Sequence, residues 1–302
     1  MRGMNVLACC RCARFLPAML VFAVGTISTR AADNVIALKA ARMFDGKSNT
    51  LVKNGVVVVQ GDKIADVGSN LAIPSDAQVI DLGNATLAPG FMDAHTHLTT
   101  DYSGDYNLRR LKEVDFNVSE QAIIASAYAR STVEAGFTTV RDLGSRFVGS
   151  REFVDVALRN SINKGVVVGP RMLVATKGIV ATGGHFDPTS GFRDFLFGRE
   201  PDYTDGIADG PDEIRKAVRF EVKNGADVIK AAVSGGVLSL ADEVDTPQLT
   251  PAEMAALVDE SHRLRKKVAC TVTAIRPRSR QLRQASIRLS MVLLCNQKRL
   301  PG

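Results

Sequence analysis

Apolar and polar residues alternate in short runs over residues 34–88, and pairs of turn-forming residues separate the runs. The alternation has a period of two, which is typical of β-strands with one buried face. Strands are predicted at 35–38, 55–59, 64–67 and 78–80, and turns at Asp45-Gly46, Asn54-Gly55 and Gly61-Asp62. The pattern therefore predicts that residues 33–88 form a small β-sandwich portion.

From residue 87 onward, apolar strand runs alternate with helical periodicity. Strands are predicted at 87–98, 138–143, 171–175, 226–236 and from 267, and helices at 119–135, 150–160, 211–224 and 251–266. Ser119 is the predicted cap of the first helix, Gly136 ends it, and Thr250 with Glu253 forms a predicted capping box. Strands that alternate with helices form parallel sheets, and a sheet portion beside them favours a barrel. The predicted fold class is α/β: an incomplete (β/α)8 TIM-like barrel over 89–274, with about five of eight strands, preceded by the β-sandwich portion.

The formal net charge of +6 is concentrated at the two ends of the chain. Residues 1–32 carry four arginines and no acidic residue, and residues 275–302 carry seven basic residues and no acidic one. Removing these eleven charges leaves −5 for the part with organised structure. This distribution argues against nucleic acid as a partner.

The first 32 residues resemble a secretory signal peptide. Arginines at 2, 11 and 14 precede an apolar run at 15–27, and small residues follow at Ala31 and Ala32. The run is short for a membrane span, so cleavage near Ala31 is expected to give a secreted or periplasmic protein with no stable membrane span. An N-terminal membrane anchor is the alternative. Residues 13–269 contain no cysteine, which excludes a disulfide framework there.

The segment 87–98 enters through a Pro-Gly turn and is predicted to be a short buried strand that ends in His95 and His97. Side chains alternate along a strand, so the two imidazoles project to the same side and can bind one metal ion. The spacing alone also fits a pair of histidines without a metal. The surrounding residues decide between the two interpretations.

Pro89, Gly90, Phe91, Met92, Asp93, His95, His97 and Leu98 together resemble the first-strand motif of the amidohydrolase superfamily, in which both histidines bind metal at the mouth of the barrel. The segment 235–266 resembles the imidazolonepropionase-like and Xaa-Pro dipeptidase-like branch, and the whole resemblance covers about 35–269. It implies a divalent metal, with zinc the first candidate and one or two ions in a complete member. It also implies a hydrolase of carbon–nitrogen bonds that acts through metal-activated water on a small-molecule, dipeptide or cyclic-amide substrate, with Asp93 supporting the ligands. Assembly into a homo-oligomer stays open.

Lys230 interrupts the apolar run of the fourth predicted barrel strand. A buried ammonium costs several kcal/mol unless it is paired or neutralised. One explanation is a structural ion pair. The other is carboxylation by carbon dioxide, which gives an anion that can bridge two metal ions, and the resemblance favours this role as a third metal ligand.

Two further residues are predicted to face the substrate pocket. His185 lies in a glycine turn within the long loop 176–209, which is predicted without secondary structure, and follows the third strand at the barrel face of His95. It contacts substrate or shapes the pocket, or it is a surface histidine. Asp142, at the end of the second strand, is the other pocket candidate. His262 lies among charged residues and is predicted to be solvated.

The family pattern breaks in the fifth strand. Where a second His-x-His is expected, the chain has Cys270-Thr271-Val272-Thr273-Ala274, and the basic tail 275–302 lacks helical or strand periodicity. Permitted codons for 269–274, read one base earlier, spell Val-His-Gly-His, and those for 285–292 spell Val-Asp-Ser-Ile-Glu-His-Gly. This suggests a frameshift near residue 269, which resequencing of the coding DNA tests. No catalytic residue is then assigned, because the general base is expected in the missing C-terminal part, and the alternative function is an inactive truncated product.

Overall fold

The computed structural model of the chain describes residues 34–100, 117–145, 152–193, 198–236 and 242–272, the single residues 105, 111, 112, 115 and 196, and the backbone of 292–294. The chain divides into two compact units, Met1–Pro89 and Gly90–Gly302. The predicted signal peptide and most of the basic tail lie outside the described residues, so both interpretations stay predictions. None of the helices in the described ranges is both long enough and apolar enough to cross a membrane.

The first unit contains one five-stranded sheet. Its strands are β1 (Val35–Met43), β2 (Val52–Gln60), β3 (Lys63–Ser69), β4 (Gln78–Asp81) and β5 (Thr86–Leu87). The order is β3-β2-β1-β4, with β5 also paired to β1, and β1 runs antiparallel to β2 and parallel to β4 and β5. All four predicted strands are present.

The predicted turn at Asn54-Gly55 is wrong, because both residues lie inside β2. Gly55 packs so closely against β1 that a Cβ there would lie 2.4 Å from Met43 Cβ. Glycine therefore serves a close approach of two strands at this position. The turn at Gly61, where φ is +60°, is confirmed.

The second unit alternates strands and helices. Its elements are β6 (Phe91–Thr96), α1 (Val118–Glu134), β7 (Phe137–Asp142), α2 (Val154–Asn163), β8 (Arg171–Val174), β9 (Gly178–Ile179), α3 (Pro211–Lys223), β10 (Val228–Ala232), α4 (Pro251–Arg263), β11 (Lys267–Thr271) and β12 (Val292–Leu294). One parallel sheet has the order β6-β7-β8. A second sheet has the order β12-β11-β10-β9, and its strands β9, β10 and β11 are parallel. The fold is mixed α/β with partial parallel sheets, which confirms the predicted fold class of an incomplete barrel.

Helices cover the outer faces of both parallel sheets. The apolar stripes of α3 and α4 bury Ile214 and Leu257 against Ile229 of β10 and Val268 of β11. A second cluster packs α1 and α2 against Val140 of β7 and Val174 of β8, through buried residues that include Ala125, Ala129 and Leu158. These cores fix the strands whose carboxyl ends carry the candidate site residues.

Two predicted features of β6 and α1 are corrected. The segment around β6 is not buried: Phe91 is 57% and Met92 77% exposed, because β6 pairs only with β7 among the described strands. The cap of α1 is Asn117 rather than Ser119, since the Asn117 side chain accepts a hydrogen bond from Glu120 N. Asparagine and serine are equivalent caps by propensity, so the sequence alone could not choose between them.

Two regions predicted without secondary structure contain strands. Part of the loop 176–209 forms β9, and Val180 bridges Ile207. Residues 292–294 form β12, which pairs antiparallel with β11 and satisfies backbone groups of that strand. Other local predictions are confirmed: the capping box of Thr250 and Glu253 is present, and His262 is exposed.

Candidate metal site

His95 and His97 lie at the carboxyl end of β6 with their imidazoles side by side. Their Nε2 atoms are 3.2 Å apart, and their ring centroids are 5.1 Å apart. A tetrahedral zinc ion with bonds of about 2.0–2.1 Å holds two ligand nitrogens about 3.3 Å apart. The two Nε2 atoms therefore fit a single ion, as the strand alternation predicted.

A backbone carbonyl beside His97 and the burial of His95 both favour metal binding by the two imidazoles. Nδ1 of His97 lies 3.0 Å from Gly144 O, and a carbonyl only accepts, so the proton is assigned to Nδ1 and the Nε2 lone pair is available. Burial, followed by the positive charges of Lys230 and Arg141, lowers the pKa of His95 to about 4. His95 is therefore neutral at pH 7, as a metal ligand must be.

Two carboxylates hold the backbone on either side of the histidines. Asp93 Oδ1 accepts a hydrogen bond from His95 N at 2.9 Å, which is a supporting contact of the kind predicted for it. Asp142 Oδ2 accepts from Leu98 N at 2.5 Å. Asp142 is fully buried, and burial followed by the nearby charge of Asp155 raises its pKa to about 8. Its predicted role in the pocket stays a prediction, because the observed contact is to backbone.

Lys230 lies in β10 and is 0% exposed. Within the described ranges, no residue forms a hydrogen bond or salt bridge with its Nζ, so the ion-pair explanation lacks a visible partner. Its Nζ lies over the ring of Phe186, 5.8 Å from the ring centroid. Burial lowers the pKa of Lys230 to about 8; Cys270 opposes this change and Arg141 adds to it.

His185 lies over the carboxyl end of β10. Its backbone N donates to Gln248 Oε1 at 2.9 Å, and its ring packs so tightly on Gly236 that a Cβ there would lie 2.0 Å from ring atoms. The ring centroid is 4.8 Å from that of Phe186, the residue that covers Lys230. His185 is thus partly buried beside the site rather than on an open surface turn.

Sequence reasoning missed Arg141 and Phe186. Arg141 donates from Nε to Ala94 O at 2.8 Å, and its charge reaches both His95 and Lys230. The available signal was a charged residue inside the predicted strand 138–143. Phe186 had no pattern that could have indicated its position.

The described part of the chain contains no group of three or more His, Cys, Asp or Glu side chains placed to hold a metal ion. The structure brings together His95, His97 and Lys230. Cys270 lies buried on β11 in register with Ala231, next to Lys230 in the chain. The arrangement can hold one ion through two imidazole nitrogens, with a buried amine close by.

Known proteins resemble this chain over most of its length. A family model described as Amidohydrolase family matches residues 86–273. Ochratoxinase from Aspergillus niger is 29% identical over 258 residues, which is 79% of this chain and 50% of that protein. Imidazolonepropionase from Arthrobacter sp. (strain FB24) is 29% identical over 104 residues, which is 34% of this chain and 24% of that protein.

A solved structure agrees with these sequence relatives. The crystal structure of a Xaa-Pro dipeptidase with methionine bound in its active site superposes with a TM-score of 0.68 at 33% identity, over 78% of this chain and 56% of that one. The chain spans about half the length of the ochratoxinase that it matches. The resemblance stated from the first-strand motif is therefore confirmed.

Proposed function

Because the chain belongs to the amidohydrolase family, we propose that it is a metal-dependent hydrolase of carbon–nitrogen bonds whose ligands include His95, His97 and Lys230. Its relatives are hydrolases. The observation that carries the proposal is the 3.2 Å separation of the two Nε2 atoms beside a fully buried lysine.

His95, His97 and Lys230 would hold a divalent metal, with zinc the first candidate and one or two ions in a complete site; when bound, it would supply polarisation of a carbonyl oxygen and a lowered pKa for water. The chain's own residues prepare the site. The Gly144 carbonyl keeps the proton of His97 on Nδ1, and Asp93 holds the backbone of His95. The imidazole of His97 then offers Nε2 without a competing proton.

Lys230 has the surroundings that carboxylation needs. The neutral amine nitrogen bonds to the carbon of carbon dioxide and releases one proton, which leaves an anionic carbamate. Burial favours the neutral amine, since a pKa of about 8 leaves roughly a tenth of it neutral at pH 7. The carbamate would replace a buried cation, which has no hydrogen-bond or ion-pair partner among the described residues, by an anion that a metal ion can pair with.

The substrate class follows from the relatives and from the loop over the site. We propose a small molecule, a dipeptide or a cyclic amide, approached through the side on which His185 and Phe186 lie. His185 is placed to contact it, since its ring lies over the carboxyl end of β10. With a signal-like segment at residues 1–32, the proposed location is secreted or periplasmic.

The second candidate is a catalytically inactive chain that binds at most one metal ion weakly. The observation that favours it is that, over the ranges described, two imidazoles and one lysine converge without a third histidine or a carboxylate. On this account the chain keeps the family fold but lacks the group that would accept a proton from water.

Metal content and activity measured together test both candidates. The purified full chain, with and without bicarbonate, is assayed for zinc and for hydrolysis of dipeptides and cyclic amides. The proposal expects bound zinc that disappears in a His95→Ala/His97→Ala variant but not in His262→Ala, the exposed control. Zinc without hydrolysis supports the inactive chain, and zinc retained by the double variant contradicts the proposed site.

A further inference from the structure

We propose that Asp142 is the positioning residue for the His95 and His97 pair, acting from the neighbouring strand. The inference rests on the proposed function, since it concerns how the two imidazoles are held for a metal ion. Among the described residues, Asp142 forms hydrogen bonds to backbone and to Thr96 rather than to either imidazole. Its carboxylate instead reaches the backbone that directly follows His97.

Residues 141–144, at the carboxyl end of β7 and directly after it, lie beside residues 94–98, which contain both histidines. Four hydrogen bonds join the two segments: Arg141 Nε to Ala94 O at 2.8 Å, Leu143 N to Thr96 O at 2.9 Å, Leu98 N to Asp142 Oδ2 at 2.5 Å and His97 Nδ1 to Gly144 O at 3.0 Å. Residues 141 to 144 therefore each contact one residue of the histidine segment, at positions 94, 98, 96 and 97 respectively. The sheet ladder alone does not do this, because its register is irregular between Asp93 and Thr96.

Asp142 supplies the hydrogen bond of this contact that lies directly after His97. Its Oδ2 accepts a hydrogen bond from the backbone N of Leu98, the residue directly after His97. The same Oδ2 lies 3.4 Å from Thr96 Oγ1. The carboxyl is 0% exposed, so its hydrogen bond to Leu98 N is shielded from solvent. If the backbone at one histidine can rotate, its Nε2 no longer points to the same place as the Nε2 of the other histidine.

Asp155 provides a matched control for burial and chemistry. It is also 0% exposed, and its Oδ2 also accepts from a backbone N–H just after a strand, Thr176 N at 2.8 Å. That strand, β8, carries no predicted metal ligand. A loss of metal affinity that reflects only a damaged core should appear in both variants, whereas loss of positioning should appear only at Asp142.

The experiment compares Asp142→Ala, Asp142→Asn and Asp155→Ala in the full chain by two measurements. Hydrogen–deuterium exchange of the metal-free protein follows the peptide that contains 94–98, and competition with a chromophoric chelator gives the zinc affinity. Asp142→Ala should speed exchange at Leu98 and weaken zinc binding about 10- to 100-fold. Asp142→Asn keeps an oxygen acceptor and should stay near wild type, as should the zinc affinity of Asp155→Ala.

Several outcomes would overturn the inference. Unchanged exchange and zinc affinity in Asp142→Ala, or an equal loss of affinity in Asp155→Ala, contradicts positioning. If Asp142→Ala does not fold, Asp142→Asn tests the inference instead. Weak zinc binding with normal exchange in Asp142→Asn would show that the charge of Asp142 acts rather than its hydrogen bond, which contradicts positioning. A wild-type chain that binds no zinc refutes the proposed function instead, and the exchange data then still decide the positioning of 94–98.

Discussion

Replacing Lys230 by methionine should stabilise the metal-free protein, although it removes a proposed ligand. Methionine has a similar length and carries no charge, so it fills the same space in β10 without an ammonium that lacks a described partner. Burial lowers the pKa of Lys230 from 10.5 to about 8. Since one pKa unit corresponds to about 1.4 kcal/mol, the charged lysine destabilises the fold by up to roughly 3 kcal/mol at pH 7.

The sign of the pH dependence follows from the lowered pKa. Between about pH 8 and 10.5 the unfolded chain binds more protons at this lysine than the folded chain does, so the stability of the wild type should rise with pH over that window. In Lys230→Met this contribution is absent. The difference in stability between the two proteins should therefore be largest near pH 7 and shrink as the pH rises towards 10.5.

Urea unfolding in carbon dioxide-free buffer without metal measures this difference. Lys267→Met is the control, because Lys267 is an exposed lysine on the adjacent strand β11. We expect the control to leave the free energy of unfolding nearly unchanged. A Lys230→Met variant that is less stable than the wild type at pH 7, or equally more stable at pH 7 and 10.5, would refute the reasoning.

Three further predictions concern the site and its supports. Gly144→Ala should weaken zinc binding and lower stability, because φ at Gly144 is +131° and its carbonyl holds His97. The control Gly165→Ala, at a glycine with φ of +72° and no neighbour within 4 Å, should lower stability without weakening zinc binding. Chelator competition measures the zinc affinity, and urea unfolding measures the stability. Glu221→Gln should raise stability at pH 8 more than at pH 5. Burial raises the pKa of Glu221 to about 8, so the stability that the protonated side chain contributes is lost as the pH rises through that value. Equal effects of the substitution in urea unfolding at both pH values would contradict this. Thr250→Ala should cost about 1 kcal/mol in urea unfolding through loss of the capping box, with no change in zinc affinity.

Local sequence patterns predicted most of the elements, because their signals are short-range. The period-two runs gave β1 to β4, and the capping box at Thr250 located the start of α4 within a residue. The same patterns could not show that β6 is exposed, because burial depends on which strand pairs with it. They also missed β9 and β12, which form only where β10 and β11 present backbone groups to pair with.

The part of the candidate site that depends on a single strand was predictable from the sequence. His95 and His97 share a side because they are two residues apart on β6, and Lys230 stood out as a charge in an apolar run. The support from β7 was not visible in the sequence. Asp142 and Gly144 contact the histidine segment across a gap of more than forty residues, which local patterns do not report.

The coordination of zinc by this chain tests the central claim most directly. X-ray absorption at the zinc edge of the full chain reports how many imidazole nitrogens bind the ion. The account predicts two imidazole ligands at about 2.0–2.1 Å, one of which is lost in His95→Ala and one in His97→Ala. A spectrum without imidazole scattering, or one that neither substitution changes, would contradict a metal site at the end of β6.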